Sequence, residues 1–230
     1  IAGELPIVIS APHGGYLKPG EIPDRTYGVK GGDSNSQEYA LEAAHYLKRL
    51  TGRRPHVIIN RLHRIKLDAN REIVEAAQGN TWAEQAWNEY HQFIEGARTW
   101  VSERCGQGHY LDVHTNGHAD KWVEMGHLLR ASDLAQSDAT LDGAAHVNSS
   151  SLRHLASRPG MKLSALVRGK DSLGGLLMSR GYKSVPSPKH PDPGGGGFFS
   201  GGYNTARHGS RNGGTIDGTQ VETYYGMLTP

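Results

Sequence analysis

Short apolar runs alternate with longer amphipathic stretches along the first half of this chain, and this alternation constrains its fold most. Residues 5–11, 55–62 and 109–114 are rich in β-branched and other apolar side chains, as in buried strands. Residues 34–50 and 80–104 repeat apolar side chains at helical spacing. Because strands separated by helices pair in parallel, we expect an α/β fold with a mostly parallel sheet and helices on both faces.

The second half of the chain has a weaker pattern. Residues 125–131 and 218–227 are predicted to be strands. Between them we expect an irregular insertion, rich in glycine and proline, at about residues 132–202, with short helices predicted at 149–157 and 172–180. A chain of this length can bury a substantial core, so we predict a single domain over residues 1–230.

Composition excludes several classes of function. Lys and Arg number 25 against 23 Asp and Glu, a balance that predicts neither a nucleic acid nor a membrane as partner. The single cysteine, Cys105, excludes an internal disulfide and a CxxC metal site. Glycine-rich nucleotide loops and a GxSxG nucleophile turn are absent from the sequence. The compartment stays open: the chain begins at Ile1, so it is cytoplasmic or, if a leader was removed, exported.

Two histidines follow predicted strands. His13 lies in a Pro-His-Gly-Gly turn after the first strand, and His114 lies where residues 109–114 run into a turn. Asp112 precedes His114 by two positions, so both side chains project from one face of the strand. In open α/β sheets, ligands bind outside the carboxyl ends of the strands. A histidine there with a carboxylate behind it is typical of a catalytic zinc site, although one hydrogen-bonded histidine is an equally good interpretation of His114 alone.

Other polar residues complete a set that a metal hydrolase needs. An acid follows the first histidine, Asn70 and Arg71 form a polar pair, and Glu222 is the one acid of the last predicted strand. Three nitrogen or oxygen ligands leave one zinc position for water, a glutamate accepts a proton, and an arginine binds a substrate carboxylate.

The order of these motifs along the chain resembles the N-formylglutamate amidohydrolase family. The blocks are Pro12-His13-Gly-Gly, Asp33 with Glu38, Leu67-Asp68-Ala-Asn70-Arg71, Asp112-Val-His114, Gly201-Gly-Tyr203-Asn-Thr-Ala-Arg207-His208-Gly209 and Val221-Glu222. Four of them are also similar to zinc carboxypeptidases, a more distant relation. The resemblance implies a three-layer zinc-peptidase-like fold (also called phosphorylase/hydrolase-like) and one zinc ion, or another divalent metal.

The resemblance also implies roles for individual residues. His13 and His114 bind the metal, Asn70 with Arg71 binds a substrate carboxylate, and Glu222 is the general base. Asp112 lies behind His114 or His118 as an orienting carboxylate. A second cationic contact to the substrate comes from Arg64 or Arg207, and Tyr203 belongs to the same motif as Arg207.

The chain departs from the carboxypeptidase pattern at the second metal ligand. Carboxypeptidases have a glutamate three residues after the first histidine, where this chain has Tyr16. Asp33 and Glu38 are the candidates to replace it, with Asp24 as a weaker third. The resemblance favours Asp33, but capping of the following helix is an alternative role for that side chain.

We therefore predict a zinc-dependent hydrolase that uses metal-activated water to cleave the amide bond of an N-acyl amino acid such as N-formylglutamate. The expected partner is a small acylated amino acid with a carboxylate, or a short peptide. Two alternatives remain at this point. The first is a carboxypeptidase or peptidoglycan-type amidase that acts on a peptide, and the second is a non-catalytic binding protein that retains the metal.

Overall fold

In a computed structural model of this chain, residues 1–228 are described, and they form a mixed α/β fold. The chain divides into two compact units, residues 1–115 and residues 116–230. Three of the four strand pairings within the units are parallel, in agreement with the mostly parallel sheet predicted from the sequence. No helix in the described part of the chain has the length and apolar character needed to span a lipid bilayer.

The first unit contains three parallel strands and three helices. The strands are β1 (Ile7–Ala11), β2 (His56–Ile59) and β3 (Gly108–Asn116), in the order β2-β1-β3. The helices are α1 (Ser36–Thr51), α2 (Ile73–Ala77) and α3 (Thr81–Cys105). β1 and β2 lie within predicted apolar runs, and β3 contains the predicted run 109–114 but extends beyond it to Asn116. A parallel strand covered on both faces needs apolar side chains in both directions.

Helices cover both faces of these strands. On one face Ile9 and Ala11 of β1 pack with Ala40 of α1 in a buried cluster. On the other face the ring of Trp100 in α3 lies 4.9 Å from the ring of His56 in β2, centre to centre. Alternate residues of a strand point to opposite faces, so this gives three layers: helix, strands and helix.

Helix α3 buries only part of the stripe that the sequence pattern predicts. The helical spacing of residues 80–104 predicts one buried stripe of Trp82, Ala86, Tyr90, Phe93, Ala97 and Trp100. Tyr90 and Ala97 are buried, but Trp82 is 61% exposed and Phe93 65% exposed. The buried side chains are Ala83, Trp87, Tyr90, His91, Ile94, Ala97 and Val101. This helix has apolar residues on two faces. The large aromatic side chains of Trp82 and Phe93 made the exposed face look like the buried one in the sequence pattern.

The second unit has three strands and seven short helices among its described residues. The strands are β4 (Val123–Gly126), β5 (Ser184–Val185) and β6 (Ile216–Tyr224), in the order β6-β4-β5, with β4 antiparallel to β6. The helices are α4 (Ala131–Leu134), α5 (Asp138–Leu141), α6 (Ala144–Ser149), α7 (Arg153–Ala156), α8 (Leu163–Arg168), α9 (Leu173–Ser179) and α10 (Tyr203–His208).

The segment 132–202 is more regular than the sequence predicts. Short helices occupy much of it as far as α9, and they bury Leu134, Leu141 and Leu163 in a common apolar cluster. Helices of one or two turns are too short to show a clear periodic pattern, and tertiary packing stabilises them. The single-domain prediction over residues 1–230 stays a prediction, and its last two residues lie outside the described part of the chain.

Candidate metal centre

The two strand-end histidines lie close together because their strands are parallel neighbours. The register of β1 and β3 pairs Ser10 with Asp112, shortly before His13 and His114 respectively. The carboxyl ends of both strands therefore lie at one edge. The two imidazole rings are buried, and their centres are 4.8 Å apart.

The turn after His13 requires residues without side chains. A Cβ atom on Gly15 would lie 2.3 Å from the backbone carbonyl carbon of Arg61, and one on Gly14 would lie 2.6 Å from the backbone nitrogen of Gln37. Both distances are far shorter than a van der Waals contact. The two glycines thus allow the chain to pass closely between other backbone segments while His13 stays at the end of β1.

Asp33 brings a carboxylate oxygen to both rings. Its Oδ2 atom lies 2.8 Å from Nδ1 of His114 and 3.3 Å from Nδ1 of His13. One potential ligand atom from each of the three residues lies within 4.8 Å of the other two. Two imidazole nitrogens and one carboxylate oxygen are the kind of three-ligand set found at catalytic zinc sites.

Glu38, the alternative to Asp33, has a different partner. Its Oε1 atom accepts a hydrogen bond from the hydroxyl of Tyr16 at 3.0 Å. The N-cap of α1 is Asn35, which has a left-handed backbone with φ of 62° and makes no side-chain capping bond. Helix capping was therefore the wrong role for the side chain of Asp33, which lies against the two rings instead.

A second pair of carboxylates fixes the outer nitrogen of each ring. Nε2 of His13 donates to Asp68 Oδ1 at 2.7 Å, and Nε2 of His114 donates to Asp112 Oδ2 at 3.0 Å. Because an ionised carboxylate only accepts hydrogen bonds, each Nε2 carries a proton, and Nδ1 is the nitrogen of each ring that faces Asp33. This is the carboxylate–histidine arrangement that orients the ligands of metal sites.

The two orienting aspartates are themselves anchored. Arg64 Nε donates to Asp68 Oδ2 at 2.8 Å, while the hydroxyls of Ser10 and Tyr110 donate to Asp112 Oδ1 at 2.7 and 3.1 Å. Both aspartates are completely buried. Each carboxylate oxygen is thereby used, which limits the rotation of the imidazole rings.

The surroundings favour the ionised form of the carboxylates beside His13. Burial opposes ionisation of Asp33, but the charge of His13 and hydrogen bonds from His114 and His13 outweigh it and hold the pKa of Asp33 well below its usual range. Burial likewise opposes ionisation of Asp68, and the interactions of His13 and Arg64 with it lower its pKa. Both groups are anions near neutral pH.

The donor set fits a divalent metal. With Nε2 of each ring held by Asp68 or Asp112, the two Nδ1 atoms and the Oδ2 atom of Asp33 converge on one small volume. A divalent cation bound to these three atoms would replace the direct contacts of Nδ1 with Asp33. Zinc prefers nitrogen and oxygen ligands in this number, with one further position for water.

Asn70 lies beside this group, and Arg71 lies at its edge. The side-chain amide of Asn70 is 3.3 Å from Nε2 of His114, and its backbone N–H donates to Asp68. Arg71 is partly exposed, and its Nε atom is 3.3 Å from Glu75. Arg71 therefore pairs with a carboxylate on its own segment in this structure.

The predicted general base, Glu222, lies on β6 in the second unit, where it is buried. Its Oε1 atom accepts a hydrogen bond from Gln220 at 2.9 Å, and its backbone carbonyl accepts one from Asn116 at 3.0 Å. Across the antiparallel pairing, Glu222 stands opposite Glu124 of β4. Residues opposite each other share a face, so this face carries two buried acids.

The other predicted residues of the second unit form two pairs. Arg207 donates to the hydroxyl of Tyr203 at 2.7 Å, one turn apart on α10. Nδ1 of His118 lies 2.7 Å from Oε1 of Glu124. Asp112, which the sequence placed behind His114 or His118, contacts His114.

Two acids of these networks were not predicted from the sequence. The sequence pattern indicates Asp68 only as part of the motif of Asn70 and Arg71, although it lies in a polar segment after β2, where dense charge near a buried strand is costly without a partner. Glu124 is an isolated acid in an otherwise apolar strand. The same isolation drew attention to Glu222, so this signal was available for Glu124 as well.

No family model and no curated protein matches this sequence. Solved structures do match it. An N-formylglutamate amidohydrolase from Ralstonia eutropha JMP134 has a TM-score of 0.53 and 13% identity, over 96% of this chain and 82% of that one. A gene product from Agrobacterium tumefaciens has a TM-score of 0.51 and 9% identity, over 98% of this chain and 82% of that one. At these identities, the likeness shows a shared fold.

Proposed function

We propose that this chain is a zinc-dependent amidohydrolase that cleaves an N-acyl amino acid of the N-formylglutamate type. The group of His13, Asp33 and His114 carries this proposal, since each imidazole in it is oriented by a buried carboxylate. The shared fold with an N-formylglutamate amidohydrolase supports the proposal, as does the order of the motifs along the sequence. The fold would then be of the zinc-peptidase-like type.

In the proposed mechanism, His13, Asp33 and His114 hold the metal. A zinc ion, when bound, supplies a Lewis acid and makes water nucleophilic near neutral pH. Asp68 and Asp112 keep the two rings in the tautomer that presents Nδ1, so the ligand set is formed before the metal arrives.

Glu222 is proposed as the general base. It lies buried on β6, directly opposite a second buried acid, Glu124. It would accept a proton from the attacking water as the acyl carbon–oxygen bond forms. Gln220 donates to Oε1 and so fixes the direction of the carboxylate.

Arg71 and Asn70 are proposed to bind the substrate carboxylate. The guanidinium of Arg71 is planar and always charged, so it can exchange its exposed contact with Glu75 for a substrate carboxylate. A second acidic group would be bound by Arg207 with Tyr203 more readily than by Arg64, because Arg64 already donates to buried Asp68.

A substrate panel tests the proposal. The zinc-loaded protein would be assayed on N-formyl amino acids, longer N-acyl amino acids and short peptides, alongside Glu222→Gln and the exposed control Glu103→Gln. We expect hydrolysis of N-formyl or N-acyl acidic amino acids, and a loss of turnover of about 100-fold or more in Glu222→Gln with zinc retained. Preferred cleavage of peptides would favour a peptidase, and no turnover by zinc-loaded protein would contradict the proposal.

A further inference from the structure

In the second unit, a buried glutamate holds a histidine that reaches solvent. Glu124 is completely buried, with Oε1 2.7 Å from Nδ1 of His118 and Oε2 accepting from the backbone N–H of Phe199 at 2.7 Å. The side chain of His118 is 26% exposed, and its ring stacks on that of Phe199 with centres 4.7 Å apart. The contact with Glu124 therefore restrains the imidazole within its plane, and the stacking on Phe199 restrains its face.

This contact determines which nitrogen of His118 is available. Burial raises the pKa of Glu124, although hydrogen bonds from Phe199 and His118 act against this. When Glu124 is ionised it accepts at Nδ1, so that nitrogen carries a proton and Nε2 is left to exchange one. Nε2 makes no hydrogen bond with any of residues 1–228. A histidine held at Nδ1 by a buried carboxylate, with Nε2 available to a substrate, is the general arrangement of an acid–base catalyst.

Two links connect this pair to Glu222. Glu124 stands directly opposite Glu222 in the register of β4 and β6, so both side chains leave the same face. The side chain of Asn116 forms the second link: its amide donates to the carbonyl of Glu222 at 3.0 Å, and its oxygen accepts from the backbone N–H of His118 at 3.0 Å. His118 is thus tied to the strand that carries the proposed base.

The run of four glycines at residues 194–197 lies against the same histidine. A Cβ atom on Gly197 would lie 2.6 Å from Cγ of His118, and the backbone N–H of Gly197 donates to Asp120 at 3.3 Å. Only a residue without a side chain allows this close approach. The loop and Phe199 cover the ring while leaving part of it exposed.

We propose that His118 is the general acid of the reaction and that Glu124 is its positioning residue. This inference rests on the proposed amidohydrolase function. Nε2–H of His118 would give its proton to the leaving nitrogen as the carbon–nitrogen bond breaks, and the electron pair of that bond would stay on nitrogen. The proton that Glu222 takes from water would then return to Nε2, so one water is consumed and one acid and one amine are formed.

A purely structural role is the competing explanation. The contact between His118 and Glu124 could simply fasten the glycine-rich loop. A structural role predicts that loss of the imidazole affects every substrate alike. A general acid predicts dependence on the leaving group, because an amine must be protonated to leave whereas a nitrophenolate leaves as the anion.

The test compares an N-formyl amino acid with a 4-nitrophenyl ester on the zinc-loaded protein. His118→Gln and His118→Asn should lower turnover of the amide by about 100-fold or more and of the ester by less than about 5-fold. Glu124→Gln should also lower turnover of the amide more than turnover of the ester, but by a smaller factor. The control is His146→Gln, whose imidazole lies 3.6 Å from a carboxylate of Asp133, and both substrates should be unaffected.

The outcomes separate this inference from the proposed function. Wild-type protein that hydrolyses no substrate would overturn both. Active wild type with equal losses on amide and ester in the two His118 variants, zinc content unchanged, would overturn the general acid alone. A loss confined to the amide would support it.

Discussion

Asp112 affects the candidate metal centre without being one of its proposed ligands, and this makes it a sensitive residue to test. Asp112→Asn replaces an acceptor of His114 Nε2–H with an amide and weakens control of the tautomer. Loss of such an orienting partner typically lowers metal affinity about 10- to 100-fold. Isothermal titration with zinc would measure it, and unchanged affinity would contradict the orienting role.

Asp217→Asn is the matched control for that variant. Asp217 is also buried and also accepts a serine hydroxyl, from Ser210 at 2.6 Å, but it lies in the second unit. We expect the same chemical change there to leave zinc affinity as it is. A fall in affinity in both variants would indicate a general loss of stability.

Arg71→Ala should mainly raise KM for a substrate with a free carboxylate. The guanidinium is partly exposed and bound to exposed Glu75, so its removal creates no buried cavity. The effect should shrink on an analogue with an amidated carboxylate, because Arg71 then has nothing to bind. Steady-state kinetics beside exposed Arg49→Ala would show this, and equal losses on both substrates would assign Arg71 a structural role.

At the level of residues, the sequence predicted where the candidate site residues lie along the strands better than it predicted which side chains they contact. His13 and His114 could be located because strand ends are visible as apolar runs that stop at turn residues. The family resemblance favoured Asp33 over Glu38, but local sequence could not decide between them, since the choice depends on which carboxylate the loop before α1 turns toward the rings. Asp68 lies 55 positions from its partner His13, so no local pattern indicates their contact.

At the level of elements, helix α3 offers a direct test of which face is buried. Ile94 is completely buried, whereas its neighbour Phe93 is 65% exposed. Ile94→Ala should lower the free energy of unfolding by roughly 2–5 kcal/mol, because it leaves a cavity. Phe93→Ala should change it by no more than about 0.5 kcal/mol, although it removes the larger side chain. Urea unfolding would compare the two, and a larger effect of Phe93→Ala would contradict the observed packing.

The strands β1 to β3 were predicted more accurately than β4, which ends at Gly126 instead of residue 131, and than most of the short helices. The difference has a physical reason. β1 to β3 are buried on both faces, so their composition alone identifies them. α4, α5 and α7 span four residues each, too few for a helical period to repeat. Their positions depend on contacts between leucines that are distant along the chain, and a local sequence pattern does not predict such contacts.

At the level of the whole molecule, the metal should couple ligand binding to stability. Its three proposed ligands come from the end of β1, the loop before α1 and the end of β3, all in the first unit. Residues so distant along the chain are brought together only by folding, so a metal bound to them stabilises the folded state. The predicted single domain would unfold in one transition, and two independent units would unfold in two.

Zinc should therefore raise the melting temperature of the protein. The number of unfolding transitions, and which of them shifts, would show whether the chain is one domain and where the metal binds. At a free zinc concentration about 100 times Kd, binding contributes about 2.7 kcal/mol. For a chain of this size that corresponds to a rise of about 5–11 °C, which a chelator should reverse. A single shifted transition would support one cooperative domain, whereas a shift in only one of two transitions would place the site in a unit that unfolds by itself. His114→Ala removes a proposed ligand and should abolish the shift, so an equal rise in that variant would mean that zinc binds elsewhere.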